Sequence, residues 1–163
     1  MTGIPVTIVN HVAIDIEAAP DAVWRVILDE YVEASKFRKA GYSIEPLDGS
    51  ESVFGGYRMR LEENGTAVEE RVVRITERDE TAHRLSVFAD YVVDPDGPMR
   101  VHATYHARES ERGTQYTLDC HADIALDASA NVAASVEEWT KQAEVGLLQY
   151  LGTIKAAIEG ALA

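Results

Sequence analysis

Residues 136–158 read VEEWTKQAEVGLLQYLGTIKAAI, and the spacing of their apolar members decides the fold. Val136, Trp139, Ala143, Leu147, Tyr150, Ile154 and Ile158 recur at intervals of three and four, which is one stripe along an amphipathic helix. The pattern runs from about Ser129 to Glu159. At about 1.5 Å per residue it predicts a helix of about 45 Å, longer than most globular helices. Only a long concave surface could cover it. The preceding segment, Tyr42 to Leu126, supplies strands and no helix, broken by turn residues at Asp48-Gly49, Asn64-Gly65, Arg78 to Thr81, Asp94 to Pro98 and Glu111 to Gly113. Six strands are predicted there.

Upstream, Val6, Ile8, Val12, Ile14 and Ile16 occupy even positions and Thr7, His11, Asp15 and Glu17 odd ones, the period of a half-buried strand. Pro20 suits the first position of a helix and Asp21 its positive end, with Val23, Trp24, Ile27, Leu28 and Tyr31 at helical spacing. A second short helix runs to Lys39 and stops at Gly41.

The strongest local signal is Asn64-Gly65, because both residues tolerate the positive φ of a two-residue hairpin turn. With those two residues at the turn's centre, Leu61 lies opposite Val68, Met59 opposite Glu70 and Tyr57 opposite Val72, all on the inner face, and Arg60 pairs with Glu69 outside. In the hairpin through Gly113, Val101, Ala103, Tyr105 and Ala107 face inward with Tyr116, Leu118, Cys120, Ala122 and Ile124. His102 then meets His121 on the wet side.

Composition narrows the function. The 163 residues, 46% hydrophobic, suffice for one core, and no linker or repeat divides residues 1–163 into more than one domain. A net charge of −13 argues against nucleic acid and anionic membrane surfaces as partners. No run approaches the roughly 18 apolar residues of a membrane span. The single Cys120 and the absence of a secretory signal point to the reducing cytoplasm.

Two stretches carry a likeness to known proteins. Ile14 to Trp24 ends a strand in small residues and proline, then opens a helix with Val23-Trp24 and, five residues on, Asp29; Gly55, Arg58, Val68-Glu69-Glu70-Arg71-Val72 and Asp79 follow. With the element order, these resemble the START-like and Bet v 1-like (SRPBCC) superfamily over the whole chain, in its polyketide cyclase/dehydrase-like branch. The resemblance implies an α+β helix-grip fold: a seven-stranded curved antiparallel sheet around a long C-terminal helix, with two short helices after strand 1. It also implies an internal cavity. Tyr31 to Tyr42 lacks the Trp and Pro of cyclase-like relatives, and the tight Asn64-Gly65 turn replaces the gate loop of hormone receptors, which disfavours a hormone-gated phosphatase inhibitor.

Function in such a cavity follows from the polar groups that point into it. Glu70, inward in the regular register and matched by the resemblance to a pocket glutamate, is the candidate acid/base or ligand-orienting group, with a raised pKa. Tyr91 and Tyr57 are candidate donors to a developing enolate oxygen. Asn10, Met59, Val72, Tyr105, Tyr116, Trp139 and Tyr150 are candidate ligand contacts; Asn10 also reads as a break near a bulge. His102, His121, Asp119 and Asp123 read as the solvated face rather than a metal site. Neither nucleophile motifs nor phosphate loops occur, so no cofactor is implied. The leading expectation is a binder of a small hydrophobic molecule, aromatic, polyketide-like or isoprenoid, whose cyclisation, dehydration or isomerisation it could promote by proton transfer. A non-catalytic lipid or metabolite carrier or sensor is the alternative, and a regulatory interaction module the third.

Overall fold

The computed structural model describes residues 3–129 and 131–162. The chain runs β1 (Ile4–Ile16), α1 (Pro20–Tyr31), α2 (Ser35–Lys39), β2 (Ser43–Pro46), β3 (Gly56–Glu63), β4 (Thr66–Asp79), β5 (Arg84–Val93), β6 (Met99–Ser110), β7 (Gly113–Leu126) and α3 (Val132–Leu162). The strands form one seven-stranded sheet in the order β1-β7-β6-β5-β4-β3-β2, every neighbouring pair antiparallel. Pro20 does open α1, with Asp21 in the first turn and no side-chain cap. Asn64 (φ 51°) and Gly65 (φ 77°) form the predicted left-handed turn. Gly113 turns β6 into β7 where a Cβ would lie 2.7 Å from the Ile16 carbonyl, so only glycine fits this approach.

The core lies between the inner face of the sheet and the helices. Ile8, Val12 and Ile16 of β1 alternate inward as predicted, and β7 meets β6 in the predicted register, His102 opposite His121, both exposed. Among the described residues no group of three His, Cys, Asp or Glu could hold a metal. Among the described residues no helix is long and apolar enough to cross a membrane.

Two expectations need correction. The β3–β4 ladder is not regular: Glu62 pairs with Ala67 but Leu61 pairs with Glu69, which leaves Val68 as the extra residue of a bulge. A slip of one residue exchanges the two faces, so Glu69 and Arg71 point inward while Glu70 and Val72 lie on the outer face. Tyr57 and Met59 sit on β3 and keep their inward direction, buried at 3% and 0% exposure. Second, Trp139 is 39% exposed. α3 packs chiefly along the edge strand β1, and its fully buried residues, Leu151, Ile154 and Ile158, all belong to its C-terminal half. The N-terminal half has no buried residue, and a cavity lies between it and the sheet.

Candidate ligand site

The cavity of about 290 Å³ lies between β5–β7 and α3, walled by Val101, Ala103, Leu118 and Leu147, with Tyr91, Tyr105 and Trp139 as its aromatic members. Met99, Ile124 and Trp139 line both this cavity and an adjoining cleft of about 400 Å³, whose rim is the Asp96-Gly97-Pro98 turn. Trp139 is therefore a doorway residue rather than a core residue, which accounts for its exposure. Cys120 also faces the cavity, and burial raises its thiol pKa, so it behaves as a small apolar wall.

Behind Tyr91 lies the polar part of the interior. The Arg71 guanidinium stacks 4.2 Å over the Tyr91 ring, donates through Nη2 to Glu69 at 2.8 Å and stands 3.7 Å from Asp94. Tyr42 donates to the same Glu69 oxygen; burial first, then this bond, pushes its phenol up to about 12. Among the described residues three buried side-chain atoms lack a partner, the Ser110 hydroxyl at the end of β6 and, on this inner face, Arg71 Nε and the Tyr57 hydroxyl. Burial holds the phenols of Tyr57, Tyr91, Tyr105 and Tyr150 above their ordinary value. At neutral pH they remain O–H donors.

The expected site residues divide accordingly. Tyr91, Tyr105 and Trp139 border the cavity, while Tyr57 and Met59 lie on the same face nearer β2. Tyr116 is wholly buried in the core. Asn10 faces inward, but its amide donates to the Thr140 carbonyl at 3.0 Å and ties β1 to α3. Tyr150 is engaged with Tyr31 and Glu30. Glu70 does not join them: Arg58 at 2.6 Å and Arg60 at 3.0 Å bind its carboxylate on the outer face. The bond from Arg58, opposed next by burial and then reinforced by Arg60, holds the Glu70 carboxyl below its ordinary value, the reverse of the raised pKa expected of an acid catalyst. Glu69, expected outside against Arg60, instead meets Arg71 on the inner face, and Arg71, Asp94 and Tyr42 carry no site expectation from the sequence, where adjacent glutamates at 69 and 70 suit either phase of the strand.

The outer face has its own groove, of about 810 Å³, crossed by the row Thr7, Asp123, Arg100, Asp90, Val72 and Arg58. Its charges are matched internally. Arg74 and Arg100 both bind Asp90, and Arg58 binds Glu70.

A seven-stranded antiparallel sheet curved over a long C-terminal helix, with two short helices after the first strand, is a known architecture. This is the Bet v 1-like helix-grip fold. The crystal structure of Ara h 8.0201 matches with a TM-score of 0.58 at 16% identity, covering 96% of this chain and 97% of that one. A conserved protein from Geobacillus kaustophilus matches at 0.61 and 16%, covering 96% and 97%. DynU16, from the dynemicin biosynthetic locus, matches at 0.55 and 13%, covering 93% of this chain and 47% of that one. At such identities the likeness is one of fold. No protein-family model and no curated protein sequence matches the helix-grip chain described here.

Proposed function

We propose that this helix-grip protein binds a small aromatic or polyketide-like molecule carrying at least one oxygen, in the cavity beneath α3. The observation that carries the reading is the pair of buried, unpartnered groups on the inner face, Arg71 Nε and the Tyr57 hydroxyl. A buried polar group left unpaired costs about 1–3 kcal/mol, so two on one face suit a ligand oxygen that accepts from them. Tyr91 lines the apolar cavity and carries the Arg71 guanidinium on its ring, so it is the residue through which a bound ring would meet the donors behind it.

The same groups limit the chemistry. With Glu70 outside, the inner face offers donors: protonated phenols and a guanidinium. They would polarise a carbonyl and stabilise an enolate oxygen, as a ring closure, dehydration or isomerisation of a polyketide-like substrate requires. Glu69, held by Arg71 and Tyr42, is the inner carboxylate nearest this work. A carrier needs these contacts without turnover.

Titrating the protein with 2-naphthol and with naphthalene, followed by tryptophan fluorescence, tests the reading. Naphthol should bind more tightly, and Arg71→Met or Tyr57→Phe should each weaken naphthol by about tenfold while sparing naphthalene. Equal affinities for both probes, unchanged in both variants, would refute it.

A further inference from the structure

Lys36 takes no part in the site described above, yet it is the most unusual amine of the four in the chain. Lys141 and Lys155 form helical ion pairs with Glu137 and Glu159 at 2.6 Å, and Lys39 is exposed. Lys36 instead turns inward from α2. That five-residue helix is entered through Ala34, a fully buried residue in the left-handed region at φ 55°, a backbone strain that glycine would avoid. The bend places Nζ 4.7 Å from the centre of the Tyr31 ring, 5.1 Å from Phe37 and 4.6 Å from Tyr150. The side chain as a whole keeps 33% exposure.

A directed chain of hydrogen bonds leads away from it. Nζ donates to the Tyr31 hydroxyl at 3.2 Å, Tyr31 donates to the Tyr150 hydroxyl at 2.7 Å, and Tyr150 donates to the Glu30 carboxylate. Every donor points from the amine toward Glu30, which itself stands 3.9 Å from Nζ. Tyr31 stacks on Tyr105 at 4.1 Å, and Tyr105 is a wall of the cavity, so the chain lies one aromatic layer behind the proposed ligand site.

The geometry points to a covalent role: we propose that the Lys36 amine forms a reversible imine with an aldehyde or ketone. This rests on the reading that an oxygen-bearing aromatic molecule enters the interior. The free amine attacks the carbonyl carbon, an N–C bond forms, and the oxygen becomes the hydroxyl of a carbinolamine. The C–O bond then breaks, the oxygen departs as water with the second hydrogen lost from nitrogen, and no oxidant or reductant is consumed. The amine must first lose its ammonium proton, which the Tyr31–Tyr150–Glu30 chain can accept. Burial favours that loss; among the groups that face Nζ, Glu30 of α1 opposes it and Arg71 of β4 assists, while Tyr31 and Tyr150 are neutral donors.

Reductive trapping tests this. The intact protein is incubated with 2-naphthaldehyde and cyanoborohydride near neutral pH, and the labelled lysines are mapped by peptide mass. Lys36 should label at least about tenfold faster than Lys39, Lys141 or Lys155, as expected of a desolvated amine. Tyr31→Phe, which cuts the chain, should slow labelling at Lys36 alone, and Lys36→Arg should abolish that adduct with the others unchanged. Binding of 2-naphthol, which has no carbonyl, is measured separately. If naphthol binds but the aldehyde labels all four lysines equally, the imine fails and the ligand site stands. If Lys36 labels selectively while naphthol does not bind, the imine stands and the ligand reading fails. Selective labelling of another lysine overturns the proposal.

Discussion

The two faces of the sheet around β3 and β4 are built from the same residue types and reach opposite outcomes. On the outer face Glu70 is shared by Arg58 and Arg60, and neighbouring Asp90 by Arg74 and Arg100. On the inner face Arg71 Nη2 faces both Glu69 and Asp94, yet among the described residues its Nε and the Tyr57 hydroxyl are buried without partners. The outer charges neutralise one another, so that face needs nothing more. The inner face keeps donors in reserve, and burial makes that reserve costly unless a ligand uses it. One bulge at Val68 decides which glutamate serves which face.

Variants can break this contrast. The largest effect is expected from Met59→Ala, which empties a fully buried inner position and should cost about 2–5 kcal/mol in denaturant titration. A loss under about 1 kcal/mol would mean that the inner face near β3 is loosely packed.

On the outer face Glu70→Gln should cost about 1 kcal/mol at neutral pH, because both arginine partners are more than a third exposed and solvent screens the pair. Its folded pKa is depressed, so the stabilisation is present above the unfolded value, near pH 4.3, and is lost as pH falls through the lower folded value. The wild type should therefore lose its advantage over the variant below about pH 4. An advantage that instead grew on acidification would mean a raised pKa and an inward Glu70.

Tyr57→Phe sharpens the contrast through its sign. Removing a buried hydroxyl that has no partner should raise stability by about 0.5–1 kcal/mol while weakening an oxygen-bearing ligand. Destabilisation of that size would reveal a partner for the hydroxyl. The smallest effect belongs to His102→Asn with His121→Asn on the exposed outer face, expected within about 0.5 kcal/mol and without loss of ligand affinity.

Much of the architecture is legible in residue order because it depends on local periodicity. The even positions of β1, the Asn64-Gly65 turn and the β6–β7 register are all read from spacings of two and from residues that accept positive φ. The candidate site was read only in part. Tyr57 and Tyr105 keep their inward direction because the pairing around each is regular, and Tyr91 keeps it because the break in the β4–β5 pairing falls after it, at Val92. Glu70 and Val72 change face because Val68-Glu69-Glu70-Arg71 holds no residue whose chemistry demands a bulge at one place. Lys36 escaped notice because its environment comes from α1, β4 and α3, which sequence distance separates.

The helix α3 marks the same boundary. Its existence and length follow from apolar residues three and four apart, a local property that any 3.6-residue helix expresses. Which part of the stripe is buried depends on where the sheet ends and how it curves. Leu151, Ile154 and Ile158 meet the sheet, whereas Trp139, on the same stripe, stands over open space. Periodicity assigns a direction to each side chain; only the packing of distant strands determines whether that direction holds protein, cavity or water.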